Sequence, residues 1–81
     1  VKMSDLKPGD MGTVTKVEYT GEATRRLMDL GLHKGVSFKV IRKAPLGDPM
    51  EIKLKGTLMA LRMKEAEQVS VQKENTAMGK Q

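Results

Sequence analysis

Two prolines and a glycine within the run Ala44-Pro45-Leu46-Gly47-Asp48-Pro49 separate two stretches of alternating apolar and polar residues. Each proline fixes φ and removes a backbone donor, and Gly47 opens conformations closed to other residues, so the run is a stiff corner and not a flexible linker. Before it, Val36, Phe38 and Val40 alternate with Ser37 and Lys39; after it, Met50, Ile52 and Leu54 alternate with Glu51, Lys53 and Lys55. A period of two is that of a half-buried strand, so the corner joins two strands that each show one face to a core. Gly56 then makes a tight turn into Thr57-Leu58-Met59-Ala60-Leu61-Arg62, a third strand of the same meander.

The flanking segments complete a small β domain. Leu6, Pro8 and Gly9 mark an entry turn that places one leucine under the domain. Met11-Gly12-Thr13-Val14-Thr15-Lys16-Val17 is rich in β-branched residues, but Val14 and Val17 are out of phase for one face, which predicts a bulge near Lys16. From Glu22 to Leu30 the period changes: Ala23, Leu27 and Leu30 recur at i, i+4 and i+7, a short amphipathic helix whose leucines are expected in the core. Gly31 stops it, and a left-handed glycine there would bring Leu32 back onto Leu27 in a Schellman motif. One helical turn at Lys64-Glu65-Ala66-Glu67 precedes a closing strand at Val69-Ser70-Val71. Short strands with turn signals between them predict a mainly β fold, an SH3-like barrel of about five strands with one short helix between the first and second. The domain is expected over residues 1–72, with a polar, aperiodic and disordered tail over 73–81.

A chain of 81 residues has room for one domain with a marginal core. It contains no cysteine, so neither a disulfide framework nor a thiolate metal site supports the fold, which fits a reducing cytoplasm. No apolar run is long enough to span a bilayer and the first residues lack the apolar middle of a signal peptide, so a membrane role is expected only through a partner. Between Lys39 and Lys64, seven basic residues face two acidic ones and account for the whole net charge of +5. Such a stretch is either a solvated strand face or a surface for an acidic partner.

Reactive chemistry is thinly provided. His33 is the single histidine and sits in a turn after Gly31; although Asp29 precedes it by four residues, the glycine removes the helical geometry that would make the two converge on a metal. Asp48, between Gly47 and Pro49, is expected to satisfy its own turn. Glu65 and Glu67 carry no mark of an acid–base pair. Seven methionines are scattered, with only Met59 and Met63 close together, as core filler or partner surface demands and a copper(I) site does not. No catalytic residue, metal ligand or cofactor site is assigned. A helix-turn-helix beginning at Arg25 fails because Val36-Ser37-Phe38-Lys39-Val40-Ile41 is a strand pattern where a recognition helix belongs. Base stacking would have to rely on Tyr19 and Phe38, and Phe38 is expected in the core.

Three pieces of the chain, Arg26-Leu27-Met28-Asp29-Leu30-Gly31-Leu32 with Gly35, Ala44-Pro45-Leu46-Gly47-Asp48-Pro49-Met50, and Leu61-Arg62 with Ala66, resemble the ferrous iron transport protein A (FeoA) family over about Ser4 to Val71. That family is similar to the C-terminal SH3-like domain of iron- and manganese-dependent repressors. With no DNA-binding motif ahead of these pieces, the expectation is the transport protein and not a repressor fragment. The resemblance implies a non-enzymatic, cytoplasmic accessory protein that binds the GTP-hydrolysing domain of the membrane ferrous iron transporter (FeoB) and adjusts its assembly or activity.

Two docking surfaces are expected. Only part of a short helix can face its own barrel, which leaves Arg25, Arg26, Met28 and Asp29 to a partner. The second surface is Leu46, Gly47 and Asp48 with Arg42 and Lys43, a preorganised corner that loses little entropy on binding. The competing readings are a basic nucleic-acid-binding barrel, and a domain that senses a transition metal ion directly through Asp29, His33 or Asp48. A weak homo-oligomer is compatible with all three.

Overall fold

The structure, a computed structural model, describes residues 1–18 and 21–74, the side chains of residues 22–24 excepted. Tyr19, the side chain of Ala23, and residues 75–81 with Met78, which make up most of the expected tail, lie outside the described residues. After a 3-10 turn at Met3–Asp5, the order is β1 (Met11–Val17), α1 (Glu22–Asp29), β2 (Ser37–Lys43), β3 (Met50–Leu54), β4 (Thr57–Leu61), α2 (Met63–Ala66) and β5 (Val69–Lys73). The strands form one antiparallel sheet in the order β4-β3-β2-β1-β5, the expected mainly β, SH3-like arrangement with α1 between the first two strands. The last strand runs through Lys73, and the Glu74 N–H still donates to the Met11 carbonyl at 2.8 Å.

The alternation read from the sequence sets the faces. Phe38 and Val40 of β2, Met50, Ile52 and Leu54 of β3, and Val69 and Val71 of β5 all turn inward and are buried. Val14 of β1 joins them, and the pairing with β5 shifts between Val14 and Lys16, the bulge that the phase of Val14 and Val17 requires. A second bulge between Val40 and Arg42 releases Ile41 from the alternation. Gly12 is a close-approach position: a Cβ there would lie 2.8 Å from the Gln72 carbonyl oxygen and 3.2 Å from the Phe38 ring.

Leu6, from the entry turn, is buried as expected. Of the methionines, Met3 and Met50 are fully buried, Met59 and Met63 pack partly against the core, and Met11 and Met28 are exposed. That distribution is the one expected of a flexible side chain filling irregular gaps.

Candidate functional site

The end of α1 is shaped by a Schellman motif. Gly31, at φ +95°, donates its N–H to the Met28 carbonyl at 3.0 Å, and the Leu32 N–H reaches the Leu27 carbonyl at 2.9 Å, so both orphan carbonyls are satisfied and Leu32 folds back beside Leu27. Both leucines are fully buried. Leu30, expected in the core, is instead 43% exposed. The helix stops at Asp29, so Leu30 is the cap residue, and the reversal delivers Leu32 to the place that a longer helix would give Leu30. Met28 and Leu30 therefore form a short exposed apolar edge beside Arg25 and Asp29, which are also exposed.

Across from this edge lies a clamp that sequence reading missed. Glu65, in α2, is only 3% exposed and is the buried charged side chain among the described residues. Its Oε1 and Oε2 accept hydrogen bonds from Arg26 Nη2 at 2.6 and 2.8 Å, and Oε1 also accepts the Arg62 backbone N–H at 2.9 Å. A carboxylate can leave water only when its lone pairs are matched in this way. Arg26, expected to be available to a partner, thus directs one nitrogen inward. The sequence does hold a capping-box spacing, Glu65 three residues after Arg62, but with Arg62 in place of the serine or threonine that makes the motif recognisable.

Asp48 also differs from expectation. Its Oδ1 accepts the Met63 N–H at 3.1 Å, so the carboxylate leaves its own turn and ties the corner to the first residue of α2. A one-turn helix has unsatisfied N–H groups at its start, and Asp48 is the nearest acceptor. Gly47 takes φ +87°, and the Asp48–Pro49 peptide bond is cis. Leu46 projects from the corner with 96% of its surface exposed. The neighbouring cations are partly engaged: Lys43 donates from Nζ to the Ser4 carbonyl at 2.9 Å, and Arg42 lies 3.7 Å from Glu51.

Arg26, Asp48, Pro49, Ala60 and Arg62 enclose a hollow of about 340 Å³. Of the residues expected on the two surfaces, Arg26 from the helix and Asp48 from the corner line this hollow. His33 is exposed, and its Nδ1 lies 3.1 Å from the Lys34 carbonyl. Among the described residues no group of three or more histidine, aspartate or glutamate side chains comes together. Phe38 is buried and offers no stacking surface, and no helix of the described residues is long and apolar enough to cross a membrane.

A small antiparallel barrel closed by two short helices, with a polar clamp between them and a hollow at the clamp's mouth, defines the class: an SH3-like domain. The model of the FeoA domain matches residues 1–73, and the chain belongs to that family. Its structure is similar to that of the FeoA protein from Chlorobium tepidum, at 46% identity and a TM-score of 0.84, covering 98% of this chain and 75% of that one. It is also similar to the zinc complex of FeoA from Stenotrophomonas maltophilia, described as a prokaryotic SH3 domain protein, at 30% identity and a TM-score of 0.79, covering 95% and 99% of the two chains. A manganese-dependent transcriptional repressor shares the fold, with a TM-score of 0.83 at 16% identity. Among curated proteins, the chain is 28% identical over 72 residues to an Fe(2+) transport protein A/Fe(2+) transporter FeoB fusion protein of Porphyromonas gingivalis. The match covers 89% of the chain and 8% of the fusion protein's length.

Proposed function

We propose that this chain is a cytoplasmic accessory protein of ferrous iron uptake that docks on the GTP-hydrolysing domain of the membrane transporter and adjusts its assembly or activity. The observation that carries the reading is the relative in which a similar domain and the transporter form one polypeptide, an arrangement that keeps two interacting modules at high effective concentration. No reaction is assigned to the chain. Its contribution is a contour: the exposed edge of Met28 and Leu30 with Arg25 and Asp29, the projecting Leu46, and the hollow lined by Arg26 and Asp48. Exposed apolar anchors among charged neighbours are the usual centre of a docking surface.

Calorimetric titration with the transporter's GTPase domain tests this directly. Met28→Asp should weaken binding by about tenfold or more while leaving the thermal melt unchanged, because the side chain is already solvated in the free protein. Undiminished binding by this variant would remove the helix edge from the interface. Absence of any binding by the parent, together with salt-sensitive affinity for RNA or DNA, would replace the proposal with the nucleic-acid reading.

A further inference from the structure

The sheet has two outer edges, and among the described residues only one is covered. Along β5, the Val71 N–H donates to the Val1 carbonyl at 2.8 Å and Lys2 bridges to Ser70, so the chain's own first residues cover that edge. Along β4, the register with β3 fixes which backbone groups are committed. Lys55 and Gly56, at φ +54° and +83°, make a two-residue turn of the primed type, which closes on Leu54 and Thr57 as a hydrogen-bonded pair. Bonded and non-bonded pairs alternate in an antiparallel ladder, so Thr57, Met59 and Leu61 bond to β3 while the N–H and C=O groups of Leu58 and Ala60 point away from the sheet. Among the described residues, no hydrogen bond reaches them from outside the ladder. β4 also lacks the proline or charged residue within the strand that commonly guards an edge.

Cations predominate around this edge: the acids nearby are Glu51, which lies opposite Ala60 and is paired with Arg42, and Asp48, which lines the hollow and accepts the Met63 N–H. Leu58 is 59% exposed, and on the outer face its register row continues through Lys53 of β3 and Lys39 of β2. Lys39 and Lys53 are directly opposite each other, a like-charge pair that costs stability. Among the described residues no carboxylate lies within salt-bridge distance of Lys39, Lys53, Lys55 or Arg62, whereas Arg42 is paired with Glu51 and Arg26 with Glu65. The strand is thus bracketed by Lys55 at its start and Arg62 at its end, and Ala60 and Arg62 open onto the hollow.

We infer that β4 is a strand-addition site for an extended, acidic peptide segment of a partner protein, whose backbone pairs with Leu58 and Ala60 and whose carboxylates meet Arg62 and Lys55. Main-chain hydrogen bonds supply the affinity of such a site and the flanking side chains its selectivity. An acidic segment supplies counter-charges to Lys55 and Arg62, a neutral one does not, and the exposed Leu58 favours an apolar residue between the acids. The inference rests on the proposed function only for which protein supplies the segment.

The test uses the full chain, isotopically labelled, with an end-blocked heptapeptide Glu-Val-Thr-Val-Thr-Val-Glu and its counterpart carrying glutamine at both ends. Saturable shifts should centre on Leu58, Ala60 and Arg62, with amide exchange at Leu58 and Ala60 slowed by about tenfold at saturation. Glutamine at both ends should weaken binding by about fivefold or more, since charge-assisted contacts are lost. Arg62→Gln should weaken the acidic peptide by about threefold with an unchanged melt. Ala60→Pro, which removes an outward N–H, should abolish binding; if that variant fails to fold, the exchange data and Arg62→Gln decide. Equal affinity for both peptides, shifts centred elsewhere, or a second copy of the chain held on β4 that the peptide does not displace would overturn the inference. With the transporter's GTPase domain as titrant, binding that leaves Leu58 and Ala60 exchange untouched would refute the edge and keep the proposed partner. Protection by the peptide with no binding of the domain would keep the edge and refute the partner.

Discussion

Along β5 the rim of the sheet is sealed by residues 1 and 2 of the chain itself, and Met3 follows them into the core; along β4, which sends Leu61 into that core, no described residue covers the rim, and beyond the strand's end lies the clamp of Glu65, Arg26 and Asp48. The two sides divide the work of a small protein. One supplies burial that a marginal core cannot do without, and the other keeps hydrogen-bonding groups and charges in reserve for a second molecule.

The sharpest way to break this contrast is Met3→Ala, which opens a cavity beneath the sealed side. It should cost about 3 kcal/mol in denaturant unfolding, within the range for buried large-to-small changes. Glu65→Ala comes next, at about 2 kcal/mol: it leaves Arg26 without its partner, but Arg26 is half exposed and water recovers part of the loss, so the effect falls below that of a fully buried pair. Lys53→Glu should raise stability by about 0.5 kcal/mol, because it converts the Lys39–Lys53 repulsion into an attraction, while weakening capture of an acidic peptide. A destabilised Lys53→Glu protein would show that the outer face is already matched.

On the β5 side, Asp10 accepts the Lys7 N–H at 2.8 Å and lies 3.5 Å from Lys73. The Lys7 hydrogen bond, the largest effect, holds its carboxyl below the ordinary range; burial opposes it, and the Lys73 charge adds to the lowering. A lowered folded-state pKa means that this contribution is complete above the unfolded-state value of about 3.9 and fades as pH falls through the folded one. Asp10→Asn should therefore lower the melting temperature at neutral pH and converge with the parent at low pH, which flattens the acid limb of the profile. Smallest of all, Leu58→Ala should stay within about 0.5 kcal/mol of the parent, since the side chain is already mostly in water. A larger loss would mean that the β4 rim is not open.

Local patterns carried most of the fold. Alternation placed Phe38, Val40, Ile52 and Leu54 correctly because strand period is a property of neighbours in sequence. The bulge after Val14 was readable from a phase error, and the Schellman turn from the spacing of Leu27, Gly31 and Leu32. Leu30 was misread because the helical period was extended one residue past the helix, onto a cap whose side chain no longer follows the wheel. The clamp was illegible for a different reason: Arg26 and Glu65 are 39 positions apart, and Asp48 and Met63 are 15 apart, so nothing in either local sequence marks the match. The open rim of β4 was hidden likewise, since which strand ends a sheet is decided by topology and not by the strand's own residues.

A single carboxylate at Glu65 serves two masters, the guanidinium that positions α1 and the backbone that begins α2, while Asp48 ties the proline corner to the same short helix. Three separate stretches of chain are consequently yoked together, so that tugging on any one of them is transmitted to the other two. Over evolutionary time such a yoke constrains drift: positions 26, 48 and 65 should change in concert among related proteins, and a chimera that exchanges only one of them should lose its grip on the others.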